Sequence, residues 1–186
     1  QTNPHFLFNT LNNIYALAKD KSDLAPDSIV RLSEILRFML YETKGDYIAI
    51  GQEIKIIQDY IDLEKLRYDA SLRVDFHCEV PDLQQPIPPL LLIALVENAF
   101  KHGASETRER PFVEIRLQSR EQRLSFLVQN STEPPEAEEQ APIRENIGLS
   151  NLRRQLELLY KDFRLELRHQ GSVFTAQLHI NLASHV

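Results

Sequence analysis

Four polar side chains follow directly on an apolar run between Pro88 and Gly103, which reads Pro-Pro-Leu-Leu-Leu-Ile-Ala-Leu-Val-Glu-Asn-Ala-Phe-Lys-His-Gly. They are Glu97, Asn98, Lys101 and His102. Prolines suit the first turn of a helix, so the segment predicts a helix on which Asn98 and His102, four residues apart, share a face. An amide oxygen is a hard ligand that suits Mg²⁺ bridging substrate phosphates. The alternative is a core helix whose polar end emerges into solvent.

Two glycines further along the chain have surroundings that a phosphate site could use. Gly148 precedes an apolar-periodic stretch, and a helix N-terminus offers free N–H groups to an anion. Many helices begin in this way, so an ordinary helix start stays open. Gly171 is followed by Ser-Val-Phe between two strand-like runs, a pattern that is also typical of an ordinary hairpin turn.

A histidine stands at the head of the first helical pattern, in Asn-Pro-His-Phe-Leu-Phe-Asn. Pro4 places His5 in the first turn, and apolar residues recur at helical spacing at Leu7, Leu11 and Ile14. No cysteine, carboxylate or second histidine lies at metal-ligand spacing from it. Nucleophilic attack by an imidazole nitrogen is the chemistry left open to His5, and a structural or surface histidine is the alternative.

These four segments, in their order along the chain from the His5 motif to Gly171, resemble the LytS-type sensor histidine kinases, whose catalytic domain belongs to the GHKL ATPase superfamily. The resemblance covers nearly the whole chain, and its specific motifs are Asn-Pro-His-Phe-Leu-Phe-Asn and Leu-Val-Glu-Asn-Ala-Phe-Lys-His-Gly. It implies in-line transfer of the γ-phosphoryl group of ATP to His5, between the protomers of a homodimer. The phosphate would then pass to an aspartate of a response regulator, LytTR-type regulators being one candidate class.

The resemblance also implies a role for each matching residue. His5 is the expected phosphoacceptor, with Asn9 as its polar companion one helical turn on. Asn98 is expected to bind Mg²⁺, with Glu97 as a supporting carboxylate. The residues expected to bind ATP are Asn98, Lys101 and His102 toward the phosphates, Gly148 and Leu149 at the base of the nucleotide lid, Gln129 or Asn130 at the adenine, and Gly171 and Ser172 near the adenine pocket.

The chain departs from the family pattern where the adenine aspartate is expected. It has Gln129-Asn130-Ser131 in place of Asp-Asn-Gly or Asp-x-Gly-x-Gly, so the acceptor for the adenine amino group is Gln129, Asn130 or neither. Asn146 stands where a lid glycine is usual, and Ile93 where glutamine is frequent. An alternative function is therefore a degenerate, non-catalytic dimerising signalling module. A GHKL ATPase of another type would have no need of the motif around His5.

The elements that must hold these residues change character near residue 71. Residues 1–70 predict a helical dimerisation and phosphoacceptor region, whose helices begin at Asn3 or Pro4, at Asp27 as N-cap, and after Gly51. The first two would form a hairpin that pairs with a second copy. Residues 71–186 predict strands near 72–78, 113–117, 124–128, 165–167 and 173–180 and helices at Leu90 and Leu149. The fold class is therefore α+β, and the resemblance implies a GHKL (Bergerat) α/β sandwich with a mixed sheet.

A polar, proline-rich segment, 131–145, separates the last two motifs and contains an acidic run. It predicts either a surface loop or the mobile nucleotide lid. Because an acidic lid should not bind phosphate directly, we expect backbone N–H groups near Gly148 to do so, with Arg144, Arg153 or Arg154 as helpers.

Composition restricts the partners and the compartment. The net charge of −6 argues against a nucleic-acid surface. Cys78, the one cysteine, cannot form an intrachain disulfide and is expected to be buried in a strand. The sequence has no run long enough for a transmembrane helix. Because it starts inside a motif without methionine, we expect the sequence to be a fragment of a longer chain. The resemblance implies a membrane-spanning sensor region upstream and a location on the cytoplasmic side of the bacterial inner membrane.

Overall fold

The chain forms two compact units in a computed structural model, which describes residues 4–41, 45–68, 71–104, 110–133 and 147–186, without the side chains of Pro4, His5 and Ala104. The first unit comprises residues 1–70 and 84–90, and the second comprises 71–83 and 91–186. Residues 84–90 thus return to the helical unit after the chain has entered the second one. That the chain has two domains, 1–70 and 71–186, stays a prediction.

Helices dominate the first half of the chain and strands the second. The elements are α1 Pro4–Lys19, α2 Leu24–Tyr41, β1 Ile48–Ala49, α3 Ile50–Lys65, β2 Arg73–Glu79, β3 Pro86–Ile87, α4 Ile93–Ala99, a π-helix Phe100–Ala104, β4 Phe112–Arg120, β5 Arg123–Ser131, α5 Ile147–Leu159, β6 Phe163–Gln170 and β7 Val173–Asn181. Within the described ranges, no helix is both long and apolar enough to cross a bilayer.

In the first unit, α1 and α2 pack together as a helical hairpin, and α1 begins at Pro4 as the proline predicts. The predicted N-cap at Asp27 is wrong, because α2 already begins at Leu24 and Asp27 lies in its first turn. The Ser22 hydroxyl accepts a hydrogen bond from the Leu24 N–H at 3.3 Å. That local bond satisfies a free N–H at the helix start, so the helix begins three residues before the acidic residue.

Helices α2 and α3 are held together by a network of ion pairs and by an apolar contact. Arg31 lies 3.0 Å from an Asp59 carboxylate oxygen and 2.8 Å from one of Asp62, while Lys55 lies 2.7 Å from Asp59. Asp59 is only 6% exposed, so two cations offset the cost of burying its charge. The buried apolar residues of the two helices include Leu32, Ile35, Phe38, Ile56, Ile57 and Ile61.

The second unit is built on a five-stranded sheet with the order β2-β4-β5-β7-β6. Strand β2 runs parallel to β4, and the other neighbours are antiparallel, so the expected mixed sheet is confirmed. Alternate residues of β5, among them Phe126 and Val128, are buried. Helices α4 and α5 pack on each other and α4 packs on β5. They cover the apolar face, and the α+β class is confirmed.

Two details of the sheet differ from expectation. Cys78 is exposed, because it lies on β2, an edge strand with β4 as its sole neighbour in the sheet. The turn expected over residues 118–123 is shorter, since β4 continues to Arg120 and β5 begins at Arg123. The two turn residues, Glu121 and Gln122, have φ angles of 50° and 62°, which is the geometry of a tight two-residue hairpin.

The helix expected from Pro88 starts later and ends differently. Leu90 has a φ of 62°, which an α-helix does not accommodate, so the two prolines precede the helix and α4 begins at Ile93. After Ala99 the chain continues as a π-helix, whose hydrogen bonds span five residues instead of four. Asn98 and His102 are therefore not stacked one α-helical turn apart.

Candidate functional site

Three polar segments meet at one end of the sheet in the second unit. Gly103 lies against Asn130 so closely that a Cβ on Gly103 would stand 2.0 Å from the Asn130 Nδ2 atom. Thr132, just beyond β5, donates its backbone N–H to the carbonyl oxygen of Ser172 at 2.9 Å, in the turn between β6 and β7. The π-helix, the end of β5 and the Gly171–Ser172 turn are thereby brought together.

The Asn130 side chain presents an acceptor at this meeting point. Asn130 is 2% exposed, and its Nδ2 donates to the Ser131 carbonyl oxygen at 2.9 Å. Its Oδ1 atom is buried and, within the described ranges, has no hydrogen-bond partner. A buried acceptor left without a donor costs about 1–3 kcal/mol, so this position favours a ligand that donates a hydrogen bond.

Gln129, the other residue proposed for the adenine, faces the opposite side of the sheet. Its Nε2 donates to the Thr175 hydroxyl at 3.0 Å, and the two residues are direct partners on β5 and β7. The structure therefore places Asn130, and not Gln129, beside Gly103. Sequence alone could not separate the two residues, because the face that each occupies depends on the strand register.

The polar residues of the α4 segment flank the same Gly103. Glu97 and Asn98 are half-buried in the last turn of α4, His102 is half-buried in the π-helix, and Lys101 is exposed. π-Helical turns are frequent at functional sites. An amide oxygen could bind Mg²⁺, while the neighbouring lysine could bind the nucleotide phosphates. Within the described residues, no group of three or more histidine, cysteine or carboxylate side chains could hold a metal ion.

The glycines expected near the nucleotide lie at the ends of elements. Gly148 is exposed in the first turn of α5, whereas Leu149 is 3% exposed and belongs to the core. Gly171 is exposed with a φ of 57°, and with Ser172 it forms the hairpin turn that the sequence allows. Arg153, an expected phosphate helper, directs its Nη2 at the Leu165 carbonyl oxygen, 3.5 Å away. Residues 134–145 of the predicted lid segment, with Arg144, lie outside the described residues, as does Asn146.

The expected phosphoacceptor lies on α1 of the first unit, where His5 is in the first turn and Asn9 is half-buried. The imidazole itself lies outside the described residues. The next residue, Phe6, is 3% exposed and stacks on Tyr60 of α3, with ring centroids 4.6 Å apart. This stacking fixes the first turn of α1 on α3.

A buried carboxylate lies one turn beyond Tyr60. Glu64 is 1% exposed, and its Oε2 lies 2.7 Å from an Arg67 nitrogen. Burial raises the pKa of Glu64 despite the opposing effect of Arg67, because desolvation disfavours the charged form. Burial, together with the Glu64 charge, also raises the pKa of Tyr68. The sequence did not single out this cluster, although tyrosine and glutamate four residues apart in an apolar stripe were a visible signal.

The comparisons with known proteins agree with this arrangement. Residues 1–72 match the family model described as histidine kinase. Sensor protein LytS of Staphylococcus haemolyticus is 29% identical over 131 residues, which are 70% of this chain and 22% of that protein. Sensor histidine kinase BtsS of Escherichia coli is 32% identical over 131 residues, which are 70% of this chain and 23% of that protein. The chain thus spans less than a quarter of the length of these curated relatives.

Solved structures share the fold at low sequence identity. The histidine kinase domain of the blue-light activated histidine kinase from Erythrobacter litoralis superposes with a TM-score of 0.57 at 15% identity, covering 97% of each chain. The histidine kinase AdeS of Acinetobacter baumannii gives 0.54 at 13% identity, covering 86% of this chain and 79% of that one. The fold is that of histidine kinases. The family model over residues 1–72 and the relatives, which match about 70% of this chain, support a LytS-type histidine kinase.

Proposed function

We propose that this chain is the phosphotransfer part of a two-component sensor histidine kinase that uses ATP and Mg²⁺. The observation that carries the nucleotide site is the buried Asn130 side chain beside Gly103, whose Oδ1 atom has no hydrogen-bond partner among the described residues. It is an acceptor suited to the exocyclic amino group of adenine, at the same end of the sheet as the Gly171–Ser172 turn. A neutral amide thus takes the part that the family usually gives to an aspartate.

The proposed reaction is a single in-line displacement. A lone pair on an imidazole nitrogen of His5 attacks the γ-phosphorus of ATP, a nitrogen–phosphorus bond forms, and the bond to the β,γ-bridging oxygen breaks to release ADP. Bound Mg²⁺ would neutralise charge on the phosphates. Asn98 supplies an amide oxygen as a metal ligand, Lys101 and His102 face the phosphates, and Glu97 supports them. The chain contributes mainly position and charge to such a transfer.

Titration calorimetry with ATP tests the nucleotide site. We expect binding by the unaltered chain to require Mg²⁺, and we expect Asn98→Ala to remove the Mg²⁺-dependent part of the affinity. Asn130→Leu should weaken binding with or without Mg²⁺, because it removes the buried acceptor. Gln129→Leu is the matched control, since Gln129 is bonded to Thr175 on the opposite face, and it should leave the dissociation constant within about threefold, less than the effect of one hydrogen bond.

A non-catalytic dimerising module is the second candidate, and the absence of the adenine aspartate favours it. It predicts no ATP binding at millimolar nucleotide in the same titration. An Mg²⁺-independent affinity that Asn98→Ala leaves unchanged would instead contradict the role assigned to Asn98.

We also infer that two copies of the helical hairpin pair with each other. Phe8, Leu11 and Tyr15 recur at helical spacing on α1 and are 66%, 47% and 70% exposed, so the side of α1 that faces away from the core is apolar. An exposed apolar stripe of this kind marks an interaction surface, and a second copy buries both stripes in a four-helix arrangement. Attachment to a membrane through a preceding sensor region, and a response regulator as the phosphate acceptor, belong to the same proposal.

Light scattering coupled to size exclusion tests the dimer. We expect Leu11→Glu together with Tyr15→Glu to give monomers, because two charges would be buried in an apolar contact at several kcal/mol. Ala16→Glu is the matched control, since Ala16 is exposed but lies to the side of the stripe, and it should leave the mass unchanged. An unaltered chain that is monomeric at high concentration would contradict the pairing.

A further inference from the structure

The first unit holds a buried carboxylate to which the proposed chemistry gives no role. Glu53 lies in the first turn of α3 and is 0% exposed. A buried carboxylate is costly unless donors surround it. One donor is the backbone N–H of Leu90, which hydrogen-bonds to the Glu53 Oε1 atom. The positive end of the α3 helix dipole also favours a negative charge in the first turn.

Leu90 has a backbone conformation that is unfavourable for leucine. Its φ of 62° lies in the left-handed region, which is unfavourable for a residue other than glycine. Such a conformation persists only where the surroundings determine it. The hydrogen bond that the Leu90 N–H donates to Glu53 is one of these constraints, so the carboxylate helps to set the backbone direction at Leu90.

Residues 84–90, the return segment, also form backbone hydrogen bonds near the same end of α3. Strand β3 pairs with β1, with Ile48 opposite Ile87 and Ala49 opposite Pro86. The Ile50 N–H donates to the Gln85 carbonyl oxygen at 2.8 Å. Residues 84–90 are therefore held at the start of α3 by a short ladder at one end and by the Glu53 carboxylate at the other.

The segment leads directly into the helix that bears the proposed nucleotide residues. Two residues, Leu91 and Leu92, separate Leu90 from the first residue of α4. We propose that Glu53 is a positioning residue for ATP binding: by fixing Leu90, it fixes the entry of α4, which carries Asn98. This inference rests on the proposed function, and it gives the helical unit a means to set the nucleotide affinity.

Three substitutions of Glu53 test the inference by ATP calorimetry in the presence of Mg²⁺. Glu53→Ala removes the acceptor, and Glu53→Asp keeps the charge but shortens the reach to Leu90. We expect both to weaken ATP binding roughly tenfold, within the usual range of coupling between sites. Glu53→Gln retains an acceptor oxygen at the same distance and should stay within about threefold of the unaltered chain, the remainder reflecting loss of charge.

Asp59→Ala is the matched control. Asp59 lies on the same helix, is similarly buried and is bonded to Arg31 and Lys55, but it does not hold the return segment. The control should lower the melting temperature as Glu53→Ala does, while leaving the ATP affinity unchanged. Equal losses of affinity in Asp59→Ala and Glu53→Ala would mean that Glu53 acts only through stability and would overturn the proposal.

Hydrogen exchange separates this inference from the proposed function. Without nucleotide, we expect amide exchange to rise across Leu95–Ala99 of α4 in Glu53→Ala and Glu53→Asp, and to stay unchanged in Glu53→Gln and Asp59→Ala. Unchanged α4 exchange in the Ala and Asp variants of Glu53 would reject the positioning role whether or not ATP binds. An unaltered chain that fails to bind ATP would reject the proposed function, and the exchange pattern would still decide the role of Glu53.

Discussion

The His5→Gln variant should acquire no acid-labile phosphate from γ-labelled ATP, whereas the unaltered chain becomes labelled. Glutamine has a side chain of similar size but no nucleophilic ring nitrogen, so the nitrogen–phosphorus bond cannot form. The loss should be complete, because the variant retains no imidazole at this position. ATP binding should persist in the variant, since the proposed nucleotide residues lie in the second unit.

The matched control for this experiment is His77→Gln. His77 is exposed on β2, and its Nε2 lies 2.8 Å from a Glu79 carboxylate oxygen. Its replacement should leave the labelling unchanged. Label that persists in His5→Gln would show that another residue is the acceptor. An unaltered chain that binds ATP without acquiring label would favour the non-catalytic module.

The pattern of the sequence predicts the elements well where the periodicity is strong. The alternating runs in β4, β5 and β7 and the apolar stripes of α1 and α3 all form the expected elements. Errors lie at boundaries that single local bonds decide, as with Ser22 at the start of α2. Leu90 is a further case, because its φ of 62° delays α4 and its N–H is bonded to Glu53, which is far away in sequence.

In the candidate site too, consecutive residues could be recognised from the sequence, whereas residues that only the fold brings together could not. The motif around Asn98 is visible in the sequence because its residues are consecutive. The choice between Gln129 and Asn130 is not, because it depends on which face of β5 the helices cover and on the approach of Gly103. Exposure of Cys78 likewise follows from the edge position of β2, which residue types alone do not specify.

In the helix of the proposed phosphoacceptor, the structure shows a packing contact that the motif alone does not predict. Many histidine kinases have an acidic residue after the phosphoacceptor, whereas this chain has Phe6. The ring is used for packing on Tyr60, whose neighbour Glu64 is buried and paired with Arg67. The first turn of α1 and the last turns of α3 are therefore one packed structure, and α3 leads into the second unit.

Gly103→Ala should nearly abolish ATP binding and also destabilise the second unit. The added Cβ would lie 2.0 Å from Asn130 Nδ2, 2.5 Å from its Cγ and 2.8 Å from its Cβ, so either the Asn130 side chain or the π-helix must move. Overpacking of this kind costs about 1–3 kcal/mol in stability. Displacement of Asn130 also removes the acceptor that we assign to adenine, so the loss of affinity should exceed the loss that stability alone would explain.

A second-site change distinguishes the clash from a general effect of alanine. Asn130→Gly removes all three contacting atoms, so Gly103→Ala combined with Asn130→Gly should recover part of the melting temperature, apart from the cost of about 1 kcal/mol for a glycine in a strand. ATP binding should not recover, because the double variant still lacks the Asn130 amide. Gly45→Ala, whose Cβ would meet nothing closer than 3.5 Å, is the control for an uncrowded glycine. Recovery of ATP binding in the double variant would contradict the role of Asn130, since the affinity would then depend on the space beside Gly103 and not on the buried acceptor.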